Sequence, residues 1–255
     1  MKTVLITGAT DGIGKVAAET LARAGWHVIV HGRNPEKTAA VARAIPGATA
    51  VVANFEDLAS VRAMADQIGT IHALINNAGV GEGPCFEVNH LAHYLLTRLL
   101  LPKLEAPRIV VTVASGAHRL ADPAHIDRDY GGSKLANLLF TFELGRRLTR
   151  AGSHVLSLAA HPGYAATNLQ VHDLMSRTLN PVAAQSAAMG ALPSLYAAVS
   201  PDVVQGGYYG PQSFGGMRGY PGRASASGRA RNEDDARRLW DVSEQLTGVP
   251  FPFGK

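Results

Sequence analysis

The stretch Thr7-Gly8-Ala9-Thr10-Asp11-Gly12-Ile13-Gly14-Lys15 lies between a short β-branched run and a segment of helical periodicity, and it decides the fold. Gly8 permits a tight turn, Gly12 lets the backbone approach a pyrophosphate, and Gly14 lets the following helix pack closely on the strand. The start of that helix offers free N–H groups and a partial positive charge to phosphates. Because the turn follows a strand and opens a helix, it predicts a nucleotide-binding site rather than an ordinary turn.

The same alternation of strand and helix continues along the chain. Apolar, β-branched runs predict six strands buried on both faces, at Thr3–Thr7, His27–His31, Ala48–Ala53, Ala73–Asn76, Arg108–Ala114 and His154–Ala159. Amphipathic segments predict helices at Gly14–Ala24, Pro35–Ile45, Leu58–Ile68, Phe86–Leu104, Tyr130–Ala151 and Glu233–Leu246. This order favours an α/β Rossmann-type fold, a doubly wound parallel sheet with helices on both faces. We expect residues 1–255 to form a single domain.

Two segments depart from this alternation. The segment at about 164–181 has no clear periodicity, and we expect it to cover the substrate at the strand ends. The stretch at about 215–231 is rich in Gly, Ser and Arg and is typical of a mobile loop. Its arginines fit a solvated loop, with an approach to an anionic substrate as the alternative.

Composition excludes several classes of protein. Hydrophobic residues make up 46% of the 255 residues, which is enough for a sizeable core and unlike a disordered chain. The net charge is only +4, and the arginines lack the aromatic platform of a nucleic-acid module, so we expect no nucleic-acid partner. The absence of a bilayer-length apolar run and the lone Cys85 favour a cytoplasmic protein without membrane contact. The ten histidines lack metal-ligand spacing, so we expect no metal site.

Tyr130 and Lys134 are four residues apart, which places them on one face of a predicted helix. A free tyrosine has a pKa of about 10 and exchanges protons poorly at neutral pH. An adjacent ammonium lowers that pKa, so the pair predicts an acid–base group. Such pairs also occur by chance on many helices, and it is the glycine turn and the strands before it that favour the catalytic interpretation.

These motifs resemble those of the short-chain dehydrogenase/reductase superfamily over nearly the whole chain. The three glycines are separated first by three residues and then by one, as in that family. Asn76-Asn77-Ala78-Gly79 resembles the family's Asn-Asn-Ala-Gly signature, which shapes the floor beneath the cofactor. The resemblance implies an oxidoreductase that interconverts a carbonyl and a secondary alcohol by hydride transfer to or from a nicotinamide cofactor.

The resemblance also implies roles for single residues. Tyr130 would be the general acid/base, while Lys134 would tune it and hold ribose hydroxyls. Ser115, just after the fifth strand, would bind the substrate oxygen. Asn89 matches the family's Asn that supports a water in the proton relay. It follows Asn77 by only 12 residues, a shorter spacing than is usual in the family, which implies an abbreviated active-site rim.

The residues at the end of the second predicted strand indicate which nicotinamide cofactor is preferred. His31-Gly32-Arg33-Asn34 holds no carboxylate for a free ribose 2′-hydroxyl. The guanidinium of Arg33 suits a 2′-phosphate, and Lys15 is a second nearby cation, although both would also fit as solvated surface charges. We predict a preference for NADP(H) over NAD(H). Asn54 stands where the family usually has an Asp against the adenine, and it can still form hydrogen bonds there.

Further along, Pro162-Gly163-Tyr164-Ala165-Ala166-Thr167 resembles the family's Pro-Gly-x-x-x-Thr motif. By that resemblance the Ala165 backbone and the Thr167 hydroxyl would bind the nicotinamide carboxamide. Asn137-Leu138-Leu139-Phe140 resembles the retinol-dehydrogenase-like branch, whose animal members carry a membrane anchor that we expect this chain to lack. We therefore infer no retinoid substrate from the branch. Apolar residues after Tyr164 indicate an apolar carbonyl or alcohol, or simply seal the core.

Three other functions are weighed against this one. The main alternative is a catalytically inactive NADP(H)-binding regulatory or interaction protein of the same fold. A sugar-nucleotide epimerase or dehydratase would need a longer C-terminal substrate domain. A hydrolase triad of Ser115, His118 and Asp122 is rejected because these residues crowd one loop without a nucleophile elbow.

A homo-oligomer, paired through the helices that contain Asn89 and Tyr130, rests on analogy with relatives.

Overall fold

A single sheet runs through the computed structural model, which describes residues 1–164 and 185–253. Its strands are β1 (Thr3–Ile6), β2 (His27–Gly32), β3 (Thr49–Val52), β4 (Ile71–Asn76), β5 (Leu104–Val113), β6 (Leu156–Ala160), β7 (Tyr208–Ser213) and β8 (Arg218–Arg223). The helices among these residues are α1 (Gly12–Arg23), α2 (Pro35–Ala44), α3 (Leu58–Gln67), α4 (Ala92–Leu100), α5 (Tyr130–Arg150), α6 (Ala187–Val199) and α7 (Glu233–Thr247). A π-helical turn, Glu87–Leu91, leads directly into α4.

The strand order is β3-β2-β1-β4-β5-β6-β7-β8. Every neighbouring pair is parallel except β7 and β8, which are antiparallel. The chain builds β2 and β3 on one side of β1 and then crosses to place β4 on the other. In open α/β sheets the crevice at such a reversal, at the carboxyl ends of the strands, is where ligands bind. The predicted doubly wound fold is confirmed, and its topology places the candidate site at the ends of β1 and β4.

The central strands are buried on both faces. In β1, Leu5 packs in one apolar cluster with residues of α3 and α4 such as Met64 and Leu95. Its neighbour Val4 points the other way, into a second cluster with Ala17 and other residues of α1. Successive side chains of a strand point to opposite faces, so a strand covered on both sides must be apolar at every position. This is why the inner strands β1, β2, β4, β5 and β6 are recognisable as apolar runs. The prediction is wrong for β3, which lies at the edge of the sheet and has only one of its four residues, Val51, buried.

Two predicted elements differ in the structure. The stretch at about 215–231 was expected to be a mobile loop, but Arg218–Arg223 forms β8 and Arg229–Arg231 forms a 3₁₀ turn. The expected long helix over Phe86–Leu104 is divided, since the π-helical turn precedes α4 and β5 already begins at Leu104.

The expected substrate-covering segment at about 164–181 lies outside the described residues except for Tyr164. Within the part of the chain that is described, no helix is both long and apolar enough to cross a membrane.

Candidate active site

The glycine turn fits closely between α1 and the end of β4. Asp11 caps α1, and its Oδ1 accepts the N–H of Gly12 at 2.8 Å. Gly8 has a φ of +64°, and a Cβ there would lie 2.8 Å from Cα of Ala78. A Cβ on Gly14 would lie 2.3 Å from the carbonyl oxygen of Gly8. Side chains are thus excluded at both positions, and the bare backbone at the start of α1 forms a cradle suited to a diphosphate.

The floor beside this turn is held by Thr7, the residue after β1. The Thr7 hydroxyl oxygen accepts the backbone N–H groups of Asn77 at 2.8 Å and Ala78 at 2.9 Å. The Asn77 side chain returns the contact, since its Nδ2 donates to the Thr7 carbonyl at 2.8 Å. These bonds lock the end of β4 to the end of β1. Gly79 follows on the floor, where a Cβ would lie 3.1 Å from Oδ1 of Asn89 and 3.5 Å from Nζ of Lys134.

His31, at the end of β2, supports the glycine turn from below. Its Nδ1 accepts the N–H of Gly8 at 3.2 Å, and its Nε2–H donates to the Ala53 carbonyl at 3.1 Å. Its ring stacks on Phe55 at a centroid distance of 4.4 Å. Both ring nitrogens are committed in the neutral form, and burial lowers the pKa of His31 to about 4. The sequence reasoning assigned this residue no role, although a histidine in an otherwise apolar strand was the available signal.

This burial makes stability depend on pH in a defined direction. The folded pKa of His31 lies below its ordinary value of 6.5, so the unfolded chain binds the proton more readily. The free energy of unfolding therefore includes the full contribution of neutral His31 above pH 6.5. It falls by roughly 3 kcal/mol as the pH decreases towards 4. We expect urea unfolding to report this loss between pH 7 and pH 4.5, and His31→Phe to flatten the slope. The exposed His154→Gln serves as the control; equal slopes for His31→Phe and wild type would contradict the assignment.

Arg33 and Lys15, the two cations predicted to bind the adenosine part of the cofactor, differ in their position relative to the cleft. Arg33 lines the cleft. Lys15 lies outside the cleft wall, with its Nζ 3.7 Å from the carboxylate of Glu19. Asn54 lines the cleft, and its Oδ1 accepts the N–H of Glu56 at 3.2 Å. Of the two predicted cations, Arg33 therefore lines the cleft and Lys15 does not.

The predicted reacting groups meet where β5 ends and α5 begins. Ser115 follows β5 and lines the same cleft as Tyr130, the first residue of α5. Asp129 caps α5 by accepting the N–H of Gly132 at 2.6 Å. The ammonium of Lys134 lies 5.5 Å from the centre of the Tyr130 ring and donates to the Val113 carbonyl at 3.2 Å.

Burial governs the ionisation of this pair. It raises the pKa of the Tyr130 phenol above its usual value, and the polar side chain of Ser115 opposes that rise only in part. Burial also lowers the pKa of Lys134 to about 8. The sequence predicted that Lys134 would lower the pKa of Tyr130; in the structure desolvation of the phenol dominates, so that prediction is wrong for the protein alone. Tyr130 is consequently protonated at neutral pH.

Asn89 reaches the site despite the short spacing after Asn77. Its Oδ1 accepts the N–H of Val80 at 2.7 Å, and its Nδ2 donates to the Val80 carbonyl at 2.9 Å. The same Nδ2 donates to the hydroxyl of Ser133 at 2.9 Å, and that hydroxyl donates to the carbonyl of Tyr130 at 2.7 Å. Asn89 thus joins the floor to the first turn of α5.

Most of the predicted residues line one cleft of about 400 Å³. Its wall includes Gly8, Thr10, Asp11, Gly12, Ile13, Gly14, Arg33, Asn54, Asn77, Ala78, Gly79, Ser115, Tyr130, Lys134, Pro162 and Gly163. Asn89 lies behind this wall and Lys15 outside it. Ala165 and Thr167 fall outside the described residues.

Comparison with known proteins decides the family. Residues 2–176 match the sequence profile described as short chain dehydrogenase. The chain belongs to the short-chain dehydrogenase family. This dehydrogenase is an oxidoreductase of the retinol-dehydrogenase-like branch, as the resemblance of its motifs had indicated. It is 38% identical to human retinol dehydrogenase 13, over 98% of this chain and 86% of that protein.

Two further comparisons agree. Mouse retinol dehydrogenase 12 is 37% identical, over 98% of this chain and 87% of that protein. The crystal structure of an uncharacterised protein from Mycobacterium paratuberculosis superposes with a TM-score of 0.85 at 40% identity, covering 99% of this chain and 96% of that one. The short-chain dehydrogenase fold therefore extends over the whole described chain.

Proposed function

We propose that this dehydrogenase interconverts an apolar carbonyl compound and the corresponding secondary alcohol, with NADP(H) as the cofactor. One observation carries the proposal: Ser115 and Tyr130 share a cleft with the glycine turn, and the buried ammonium of Lys134 lies 5.5 Å from the centre of the Tyr130 ring. The cleft thus combines a cradle for the cofactor's diphosphate, an acid and a cation, which suits reduction of a carbonyl by a bound nicotinamide.

The residues present fit a nicotinamide dinucleotide. The glycine turn, from Gly8 to Gly14, excludes side chains and exposes the start of α1, where a diphosphate is favoured. Arg33 would hold a 2′-phosphate, and Lys134 would hold ribose hydroxyls. Ala165 and Thr167 remain proposed contacts for the carboxamide.

The chain's own groups then orient the substrate and move a proton. When bound, the nicotinamide ring supplies or accepts the hydride. Ser115 donates a hydrogen bond to the substrate oxygen and holds it against Tyr130. In the reducing direction the Tyr130 hydroxyl, protonated because burial raises its pKa, gives its proton to the developing alkoxide. The ammonium of Lys134 stabilises the phenolate that remains, and in the oxidising direction the same proton returns to Tyr130.

The apolar character of the substrate is supported by the named relatives, which are retinol dehydrogenases. A direct test combines titration with NADPH and NADH with an assay of NADPH oxidation across a panel of apolar ketones and aldehydes. We expect tight NADPH binding and turnover of at least one apolar compound. Tight binding without oxidation across the panel would instead support a cofactor-binding regulatory protein of the same fold.

Cofactor preference has its own prediction. Arg33→Asp removes the guanidinium and adds a carboxylate suited to a free 2′-hydroxyl, so we expect the NADPH/NADH affinity ratio to fall by about 10- to 100-fold. Isothermal titration with both cofactors measures the ratio. Arg43→Asp, on the exposed side of α2, is the matched control. A ratio in Arg33→Asp that equals the control would show that another group selects the cofactor.

A further inference from the structure

His93, in the first turn of α4, is buried between the catalytic groups and the floor of the cleft. Its Nδ1 lies 3.0 Å from the carbonyl oxygen of Asn89, and its Nε2 lies 2.8 Å from the hydroxyl oxygen of Thr7. Neither motif analysis nor the proposed chemistry assigns this ring a role. It nevertheless contacts Asn89, which is linked to the first turn of α5, and Thr7, which holds the floor of the cleft.

The hydrogen-bond partners fix the proton on one ring nitrogen. The Asn89 carbonyl can only accept, so Nδ1 must carry the proton and donate it. The Thr7 oxygen already accepts two N–H groups, from Asn77 and Ala78, and both of its lone pairs are taken. Its own proton is therefore donated, and Nε2 at 2.8 Å is a nearer acceptor than the Ile75 carbonyl at 3.4 Å.

Each partner of His93 controls a different part of the site. Asn89 lies in the π-helical turn, and its side chain holds Ser133, whose hydroxyl in turn bonds the carbonyl of Tyr130. Thr7 holds the two backbone N–H groups that begin the floor. The His93 and Phe55 rings pack nearly at right angles with a centroid distance of 5.1 Å, which leaves the His93 ring little freedom to turn.

We propose that His93 is a positioning residue that, as the neutral Nδ1–H tautomer, holds the Asn89 turn and the Thr7 floor in register and so aligns the proton-transferring groups with the bound cofactor. This inference rests on the proposed function. Burial lowers the pKa of His93 to about 3, which keeps the ring neutral throughout the working range of pH. A second ring proton would face the Thr7 oxygen, which has no lone pair left to accept it.

Three substitutions separate the two contacts. The amide of His93→Asn can replace Nδ1–H but does not reach Thr7, so we expect it to weaken NADPH binding more than it lowers kcat. The amide of His93→Gln can accept at the position of Nε2 but leaves the Asn89 carbonyl without its donor, so we expect the reverse. His93→Phe removes both bonds while retaining an aromatic ring, and both quantities should worsen by about tenfold or more. The exposed His154→Asn is the control.

A third measurement does not depend on turnover. Imidazole ¹⁵N chemical shifts of the wild-type protein, assigned by the signal that His93→Phe lacks, should show the neutral Nδ1–H form. An Nε2–H or protonated ring would overturn the proposal. So would losses of NADPH affinity and kcat in His93→Asn and His93→Gln that merely parallel the fall in melting temperature of each variant. If the wild type binds NADPH but reduces nothing, the proposed function fails, while the ¹⁵N shifts and the NADPH affinities still decide the role of His93.

Discussion

Tyr130→Phe lowers turnover of the carbonyl substrate by about 10²- to 10⁴-fold, the range lost with a positioned general acid, while NADPH affinity changes little. The substitution removes one hydroxyl group and retains the ring beside Lys134. Without that hydroxyl, Ser115 still binds the substrate oxygen, but no group delivers a proton to the alkoxide. Single-turnover oxidation of bound NADPH measures the chemical step, and a parallel NADPH titration measures affinity.

A matched tyrosine makes the test specific. Tyr220 lies in β8 and is 77% exposed, so Tyr220→Phe should leave both measurements unchanged. Single-turnover rates for Tyr130→Phe within a factor of two of wild type would reject Tyr130 as the acid. A large fall in NADPH affinity would instead show that the hydroxyl acts mainly in binding.

Gly14→Ala weakens NADPH binding by about 10- to 100-fold, because the added methyl group forces the backbone apart at the cradle. That Cβ would lie 2.3 Å from the Gly8 carbonyl oxygen and 2.5 Å from Nδ2 of Asn77. Both neighbours are fixed, one by the turn and the other by its bond to Thr7, so neither can yield cheaply. Titration of the variant with NADPH measures the loss.

The control for this substitution is Gly69→Ala. A Cβ on Gly69 meets nothing within 4 Å, and the residue requires no positive φ. Its melting temperature and NADPH affinity should match those of the wild type. A Gly14→Ala protein that binds NADPH as tightly as Gly69→Ala would mean that the turn does not form the diphosphate cradle.

The inner strands and the glycine turn were predictable because each depends on a local property of the sequence. A strand covered on both faces must be apolar, and a turn pressed against backbone must use glycine. β8 was not predictable in this way, because Arg218–Arg223 contains glycine, proline and charged residues and none of its six positions is fully buried. Its pairing with β7 determines the conformation, and that pairing is a tertiary contact.

The site divides along the same line. The motifs predicted Ser115 and Tyr130 as site residues from their residue types and spacing, and both line the cleft. The supports beneath them were missed, since His31 bonds Gly8 across 23 positions and His93 bonds Thr7 across 86. The predicted lowering of the Tyr130 pKa was wrong for a related reason. The sequence shows the neighbouring charge of Lys134 but not the burial of the phenol, which has the larger effect.

The turn between β7 and β8 touches the residues that lead out of β6. Gly163 adopts a φ of +69°, and a Cβ there would lie 2.4 Å from the Met217 carbonyl oxygen, which also accepts the N–H of Tyr164 at 2.8 Å. The main-chain carbonyl of Met217 makes both of these contacts. The hairpin therefore fixes the backbone of Gly163 and Tyr164 independently of the side chain at position 217.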